Sequence, residues 1–134
     1  MPEKRDIGEI LAEMGPVLHP DTYVFSSLKP GVALPEGLEP VGTFREIEGL
    51  TLIVREEDAR RYKLIKSAPM RAITLNVHSS LEAVGLTAAI ASALTAHNIS
   101  ANVVAGFYHD HVFVGAADGE RAVTILRTLA ERSA

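Results

Sequence analysis

The second half of the chain contains a strand, a helix, two strands and a second helix, and this order constrains the fold more than any other feature. The stretch "MRAITLNVH" is predicted as a strand, and "LEAVGLTAAIASALTAHN" as the helix that follows it. The strands "ISANVVAGF" and "HVFVG" come next, and Asp118 caps a helix whose apolar residues recur at helical spacing. This is the order of a ferredoxin-like unit. It predicts an α+β fold with antiparallel strands and with helices on one face of the sheet.

The first half repeats this order in a degraded form. A helix near Ile7–Met14, the strand "TYVFSSL", a Pro/Gly-rich loop, the hairpin "TFREIEGLTLIV" and the polar helix "REEDARRYKL" follow one another. The strings "GEILAEMGPVLHPDTYVFSS" and "LTAAIASALTAHNISANVVAG" align as two copies of one pattern. We therefore predict two units in tandem, residues 1–66 and 67–134, with Ser67-Ala68-Pro69 as the linker.

Charge and composition exclude several classes of function. The 134 residues are 47% hydrophobic and 22% charged, as in an ordinary globular protein, and the net charge of −4 argues against nucleic-acid binding. The chain has no cysteine, so a thiol nucleophile and a cysteine-ligated metal are excluded. The longest nearly apolar stretch, Leu86–Ala96, is too short to span a bilayer, and the N-terminus does not resemble a signal peptide. We expect a soluble, cytoplasmic protein with no nucleic-acid or membrane partner.

The stretch "VGLTAAIASALTAHNISANVV" resembles the first helix and second strand of an ACT domain, in the form found in the regulatory region of aspartokinase. "GERAVTILRTL" resembles the last helix of such a unit, and "EGLTLIVREEDA" the matching segment of a preceding unit. The whole chain is similar to small stand-alone proteins built from two ACT-like units. The resemblance implies a non-catalytic regulatory or sensor module, without a cofactor, that binds a small molecule, most often an amino acid, between two units.

The same resemblance implies a ligand site at the start of the helix and on the strand after it. The matching positions are Val84, Gly85, Leu86, Thr87, Ala101, Asn102 and Val103. Free N–H groups at a helix N-terminus favour a carboxylate, and Gly85 allows a ligand to approach the backbone closely. Amino-acid-binding relatives often carry aspartate where this chain has Asn102, so an amide replaces the partner of the ligand's ammonium group.

The helix Leu81–Asn98 carries small residues nearly all round. A helix of a two-layer unit normally keeps one polar face toward water. Small residues on its outward face therefore favour close contact with a second unit or subunit, and we expect a homodimer.

The stretch "GFYHDHVFV" supports a different function. His109 and His111 alternate along an extended chain and would point to the same side. The ferredoxin-like strand order would bring His78, at the end of the neighbouring strand, to the same edge, and three imidazoles can bind zinc. A metal-dependent enzyme using His78, His109 and His111 is the alternative function, and a polar hairpin tip is the plainer interpretation. A structural or protein-interaction module whose ligand site has decayed is the third alternative.

Overall fold

The computed structural model describes residues 7–76 and 85–133. These residues form four α-helices, six strands and a short 3₁₀ helix. In chain order the elements are α1 (Ile7–Ala12), β1 (Val17–Leu28), β2 (Gly42–Glu46), β3 (Gly49–Arg55), α2 (Glu56–Arg61), β4 (Met70–Leu75), α3 (Leu86–Thr95), β5 (Ala101–Ala105), β6 (Asp110–Gly115), the 3₁₀ helix Ala116–Asp118, and α4 (Gly119–Ser133).

The chain folds as two compact units. One unit, called here the split unit, combines Met1–His19 with Arg71–Ala134, and the other, the central unit, is Pro20–Met70. The boundary falls within β1, so this strand begins in the split unit and continues in the central unit.

In the split unit the strands lie in the order β1-β4-β6-β5. β5 and β6 form an antiparallel hairpin, with Ala101 opposite Val114 and Ala105 opposite Asp110. Alternate residues of β4 and β6 are fully buried against the helices, because side chains along a strand point to opposite faces. The core residues of this unit are Ile10, Leu11, Met14, Ile73, Leu75, Leu86, Ile90, Leu94, Ile99, Val112, Val114, Ala122, Val123, Ile125 and Leu126.

The central unit has the strand order β2-β3-β1, and both pairings are antiparallel. Its own core consists of Val24, Leu28, Leu38, Leu52, Val54 and Ala59. The β2–β3 hairpin turns where Glu48-Gly49 predicted it, and Gly49 has a φ of +153° that L residues rarely adopt. Residues 29–41 contain no helix or strand, as their prolines and glycines predicted.

The α+β fold class and the order of elements are confirmed. β4, α3, β5, β6 and α4 follow one another as the ferredoxin-like pattern requires, and α3 and α4 both pack on the split unit's core. β1 differs from the prediction, because it begins at Val17 although Pro20 removes a hydrogen-bond donor from it. No helix of the described residues combines the length and apolar composition needed to cross a membrane.

The Ser67-Ala68-Pro69 segment is held against β1. The backbone N–H of Ser67 donates to the carbonyl of Phe25 at 2.9 Å, and the Ser67 hydroxyl accepts from the N–H of Phe25 at 2.9 Å. These two bonds fix the chain before β4 begins. The division into 1–66 and 67–134 stays a prediction about the sequence repeat.

Candidate functional site

The predicted ligand site begins at the N-terminus of α3. Gly85 is the N-cap residue, with φ 88° and ψ −10°, and its carbonyl accepts the first helical hydrogen bond from the N–H of Ala89 at 2.9 Å. A Cβ at Gly85 would approach Ile7 Cγ1 only to 4.0 Å, which is ordinary contact. The left-handed backbone conformation, rather than tight packing, therefore explains this glycine.

The residues around Gly85 have different environments. The side chain of Leu86 is buried in the core, and that of Thr87 is exposed. The first turn of α3 contains no acidic residue, so no carboxylate of that turn offsets the positive end of the helix dipole. Val84 lies outside the described residues. The helix start can therefore offer an anion its backbone N–H groups and the Thr87 hydroxyl.

The second part of the predicted site is β5, which lies at the end of the strand order and contacts α3. Ala101 and Val103 pack against the core beneath the helices. Asn102 is exposed and lies opposite Phe113, so its side chain is on the face of the sheet away from α3. The Asn102 side chain therefore points away from α3, whereas the backbone N–H and C=O groups of β5 lie in the plane of the sheet.

A chain of hydrogen bonds lies on that same face of the sheet. The Nε2 atom of His19 is 2.6 Å from Thr74 Oγ1, and the same oxygen is 3.0 Å from the Nδ1 atom of His111. A hydroxyl has one proton to donate, so at least one of the two imidazoles must donate an N–H to the threonine oxygen. The ring nitrogens of His19 and His111 that carry the proton are therefore linked through the Thr74 hydroxyl.

Burial shifts the acid–base behaviour of two residues at the start of β6. It lowers the pKa of His111, and positive charge on His109 and on His19 lowers it further, while the Asp110 carboxylate acts in the opposite direction. Burial also raises the pKa of the Asp110 carboxyl, against the attraction of the two neighbouring imidazoles. His111 is thus held toward its neutral form.

The histidine cluster differs from the metal site that "HDH" suggested. His111 forms a hydrogen bond with the Thr74 hydroxyl, and that hydroxyl also contacts His19. The sequence did not predict that His19 belongs to this cluster. Across residues 7–76 and 85–133 no group of three or more His, Asp or Glu side chains is arranged to hold a metal ion. His78 lies outside those residues. The geometry shown favours hydrogen bonding over metal coordination for His111.

A pH titration of stability tests the environment of His111. Because the pKa of His111 in the folded chain lies below the ordinary histidine value of about 6.5, the unfolded chain binds more protons between the two values. We expect the free energy of unfolding to rise with pH through this window and the rise to be smaller in His111→Asn. Urea unfolding at a series of pH values measures both slopes.

His97→Asn is the matched control, because His97 is an exposed histidine outside the cluster. This variant should keep the wild-type slope. Equal slopes in wild type and His111→Asn would contradict the assignment of the pH dependence to His111.

Two models of known protein families match this chain. A family model described as an ACT domain matches residues 3–71, and a second ACT domain model matches residues 67–128. No curated protein matches the chain. The two matches cover both sequence repeats and agree with the resemblance found in the helix and strand motifs.

Solved structures show the same fold. A protein of unknown function from Vibrio cholerae, described as a possible transport protein, is 46% identical, with a TM-score of 0.83, over 92% of this chain and 95% of that one. The regulatory subunit of aspartate kinase from Thermus flavus is 9% identical, with a TM-score of 0.66, over 86% and 96% of the two chains. The aspartokinase alpha and beta subunits are 13% identical, with a TM-score of 0.69, over 87% and 97%.

Proposed function

Because this chain belongs to the ACT domain family and carries two ACT-type domains in tandem, we propose that it is a non-catalytic regulatory module that binds an amino acid. The tandem pair of matched domains is the observation that carries this proposal. The likeness to aspartokinase regulatory subunits supports the tandem fold. The ligand, the site and the assembly are proposed from the geometry of the split unit.

The α3 N-terminus is the proposed carboxylate site. The first N–H groups of an α-helix have no partner within the helix and point along its axis. The dipole favours an anion there, by about 0.3–1 kcal/mol at an exposed position. Gly85 keeps the approach open, since no Cβ stands over the backbone, and the exposed Thr87 hydroxyl supplies a further donor.

The exposed edge of β5 is the proposed site for the rest of the ligand. An edge strand has backbone N–H and C=O groups that no neighbouring strand pairs. The carbonyls can accept from the ligand's ammonium group, and so can the amide oxygen of Asn102 if the ligand extends around the edge. A neutral amide attracts an ammonium group less strongly than a carboxylate does, so the affinity for the amine is expected to be modest.

A homodimer would give ligand binding a regulatory output. The outward face of α3 presents Ala88, Ser92 and Thr95 as exposed small residues, over which a second helix can approach closely. A ligand that binds better in one assembly than in another shifts the equilibrium between them. We propose a cytoplasmic homodimer whose assembly responds to the ligand.

Thermal unfolding with a panel of amino acids tests the ligand and its place together. At a concentration of about 100 times Kd, a ligand stabilises the folded chain by about 2.7 kcal/mol, which raises Tm by several degrees. We expect one member of the panel to produce this shift and Gly85→Trp to abolish it. Gly31→Trp is the control, because Gly31 also has a positive φ, of +83°, and nothing lies within 4 Å of its Cβ position.

The amine is tested by changing one partner at a time. Asn102→Asp should tighten binding of the identified amino acid by about twofold to fivefold, measured by calorimetry, as an exposed ion pair allows. The affinity for the corresponding carboxylic acid, which lacks the amine, should not increase in Asn102→Asp. If no amino acid raises Tm, or if Gly31→Trp abolishes the shift as fully as Gly85→Trp does, the proposed site is wrong.

A further inference from the structure

A groove with a volume of about 510 Å³ lies on the split unit between α3 and α4. Its lining is mainly apolar and includes Ala93 of α3, the α3 C-cap residue Ala96, and Ile125 and Leu129 of α4. The groove is half-open to solvent. Ligand pockets enclose about 70–90% of a small ligand's surface, so this shape suits an extended occupant that keeps one side in water.

The charges around this groove have one sign. Arg121 lines it near the start of α4, Arg132 lines it near the end, and no aspartate or glutamate contributes to the lining. The Arg121 guanidinium donates to Asp118 at 2.9 Å and to the carbonyl of His97, so part of its charge is offset. Arg132 is exposed and forms no ion pair with the described residues. A cationic rim on a chain with a net charge of −4 favours an anionic partner.

The spacing of the charges indicates the form of the partner. Arg121 and Arg132 are eleven positions apart on one helix, which corresponds to about 16 Å along its axis, or three turns. The small side chains of Ala93 and Ala96 leave room for another backbone to approach. An amphipathic helix laid in the groove would place its apolar stripe on the floor and its own side chains, about three turns apart, against the two arginines.

We propose that the groove between α3 and α4 docks an acidic amphipathic helix of a partner protein. This surface is separate from the α3 N-terminus and does not depend on the small-molecule site. A second copy of this chain fits less well, since pairing two such grooves across a two-fold axis would bring cationic rims together. The partner helix carries an apolar stripe with a glutamate or aspartate at each end.

A designed peptide tests the groove directly. The probe is a fluorescent helix of about 18 residues with leucines at i, i+3, i+4 and i+7 spacing and glutamates eleven positions apart, and its twin carries lysines in place of the glutamates. Fluorescence anisotropy with the full chain should show at least tenfold tighter binding of the acidic peptide, weakening as salt is added.

Matched variants test whether the acidic peptide binds in the groove. Arg132→Glu should weaken binding of the acidic peptide about fivefold to tenfold, whereas Arg127→Glu, an equal charge change at an exposed position of α4 outside the groove, should change it less than twofold. Ala96→Glu, also at an exposed position, should abolish binding while circular dichroism stays unchanged.

Three outcomes would overturn the proposal. The first is equal affinity, or none, for the acidic and basic peptides. The second is an equal loss in Arg127→Glu and Arg132→Glu, which would indicate non-specific attraction. The third is a dimer in light scattering that Ala96→Glu converts to a monomer, because a second copy would then fill the groove.

Discussion

Replacing Gly49 with alanine is expected to lower the free energy of unfolding by about 3–5 kcal/mol. Gly49 begins β3 with a φ of +153°, and an added Cβ would lie 2.2 Å from the carbonyl oxygen of Leu28 and 3.1 Å from Ser27 Oγ. The clash is with backbone, so no rotation of a side chain relieves it. Leu28 pairs with Leu50 in the β1–β3 register, and relief would require these two strands to separate at this end.

Urea unfolding measures the loss, and hydrogen exchange locates it. Amides of β2 and β3 should lose most protection. Gly31→Ala is the control, because Gly31 has a φ of +83° and nothing within 4 Å of its Cβ position. That variant should lose only the cost of a left-handed alanine, about 1–2 kcal/mol. Equal losses at the two positions would show that the steric contact with Leu28 is not the cause.

The sequence predicted those elements that have a strong local pattern. β6 contains the short apolar run Val112–Val114, which is buried on both faces of the sheet, and α4 repeats its buried positions at helical spacing, so strand and helix follow from local pattern. β1 was partly missed because its first residues have no such pattern. There the Arg71 guanidinium donates to the carbonyl of His19 at 3.1 and 2.8 Å, a bond between positions 52 residues apart.

The sequence predicted some parts of the candidate sites and missed others, because contacts between distant positions leave no local pattern. The apolar pattern placed Gly85 inside a helix Leu81–Asn98, and the resemblance to ACT domains placed the helix start at Gly85, which is the N-cap residue of α3. The partner of His111 could not be found this way, because Thr74 and His19 reach it only through the strand order β1-β4-β6. The groove between α3 and α4 was missed as well: small residues on α3 predicted contact, but the cationic rim depends on residues from both helices.

Helix α1 packs against elements that are distant in sequence and not against the elements that follow it directly. The spacing of its apolar residues predicted a helix ending near Gly15-Pro16, and α1 ends at Ala12. Periodicity shows which face of a helix is buried and leaves open what buries it. Ile10 and Leu11 lie in the core of the split unit with residues of α3, α4 and β4, rather than in the core of the central unit that follows α1 in sequence.

Met14→Ala is expected to lower the free energy of unfolding by about 2–5 kcal/mol and to act mainly on the C-terminal elements. Met14 is fully buried in the split unit's core, and its carbonyl accepts a 2.6 Å hydrogen bond from the N–H of Asn76, just after β4. The truncation leaves a cavity in a core whose other members, apart from Ile10 and Leu11, lie more than fifty positions away in sequence. Hydrogen exchange should therefore show lost protection in α3, α4 and β4–β6 before β2 and β3.

Met70→Ala is the matched control for this prediction, because Met70 at the start of β4 is only partly buried and its truncation removes less packing. Its cost should be clearly smaller. A Met14→Ala loss confined to β2 and β3 would contradict the grouping of α1 with the C-terminal elements. If the loss instead appears first in α3 and α4, the N-terminal helix contributes to the scaffold that holds both Gly85 and the groove, because α3 rests on the same core as Met14.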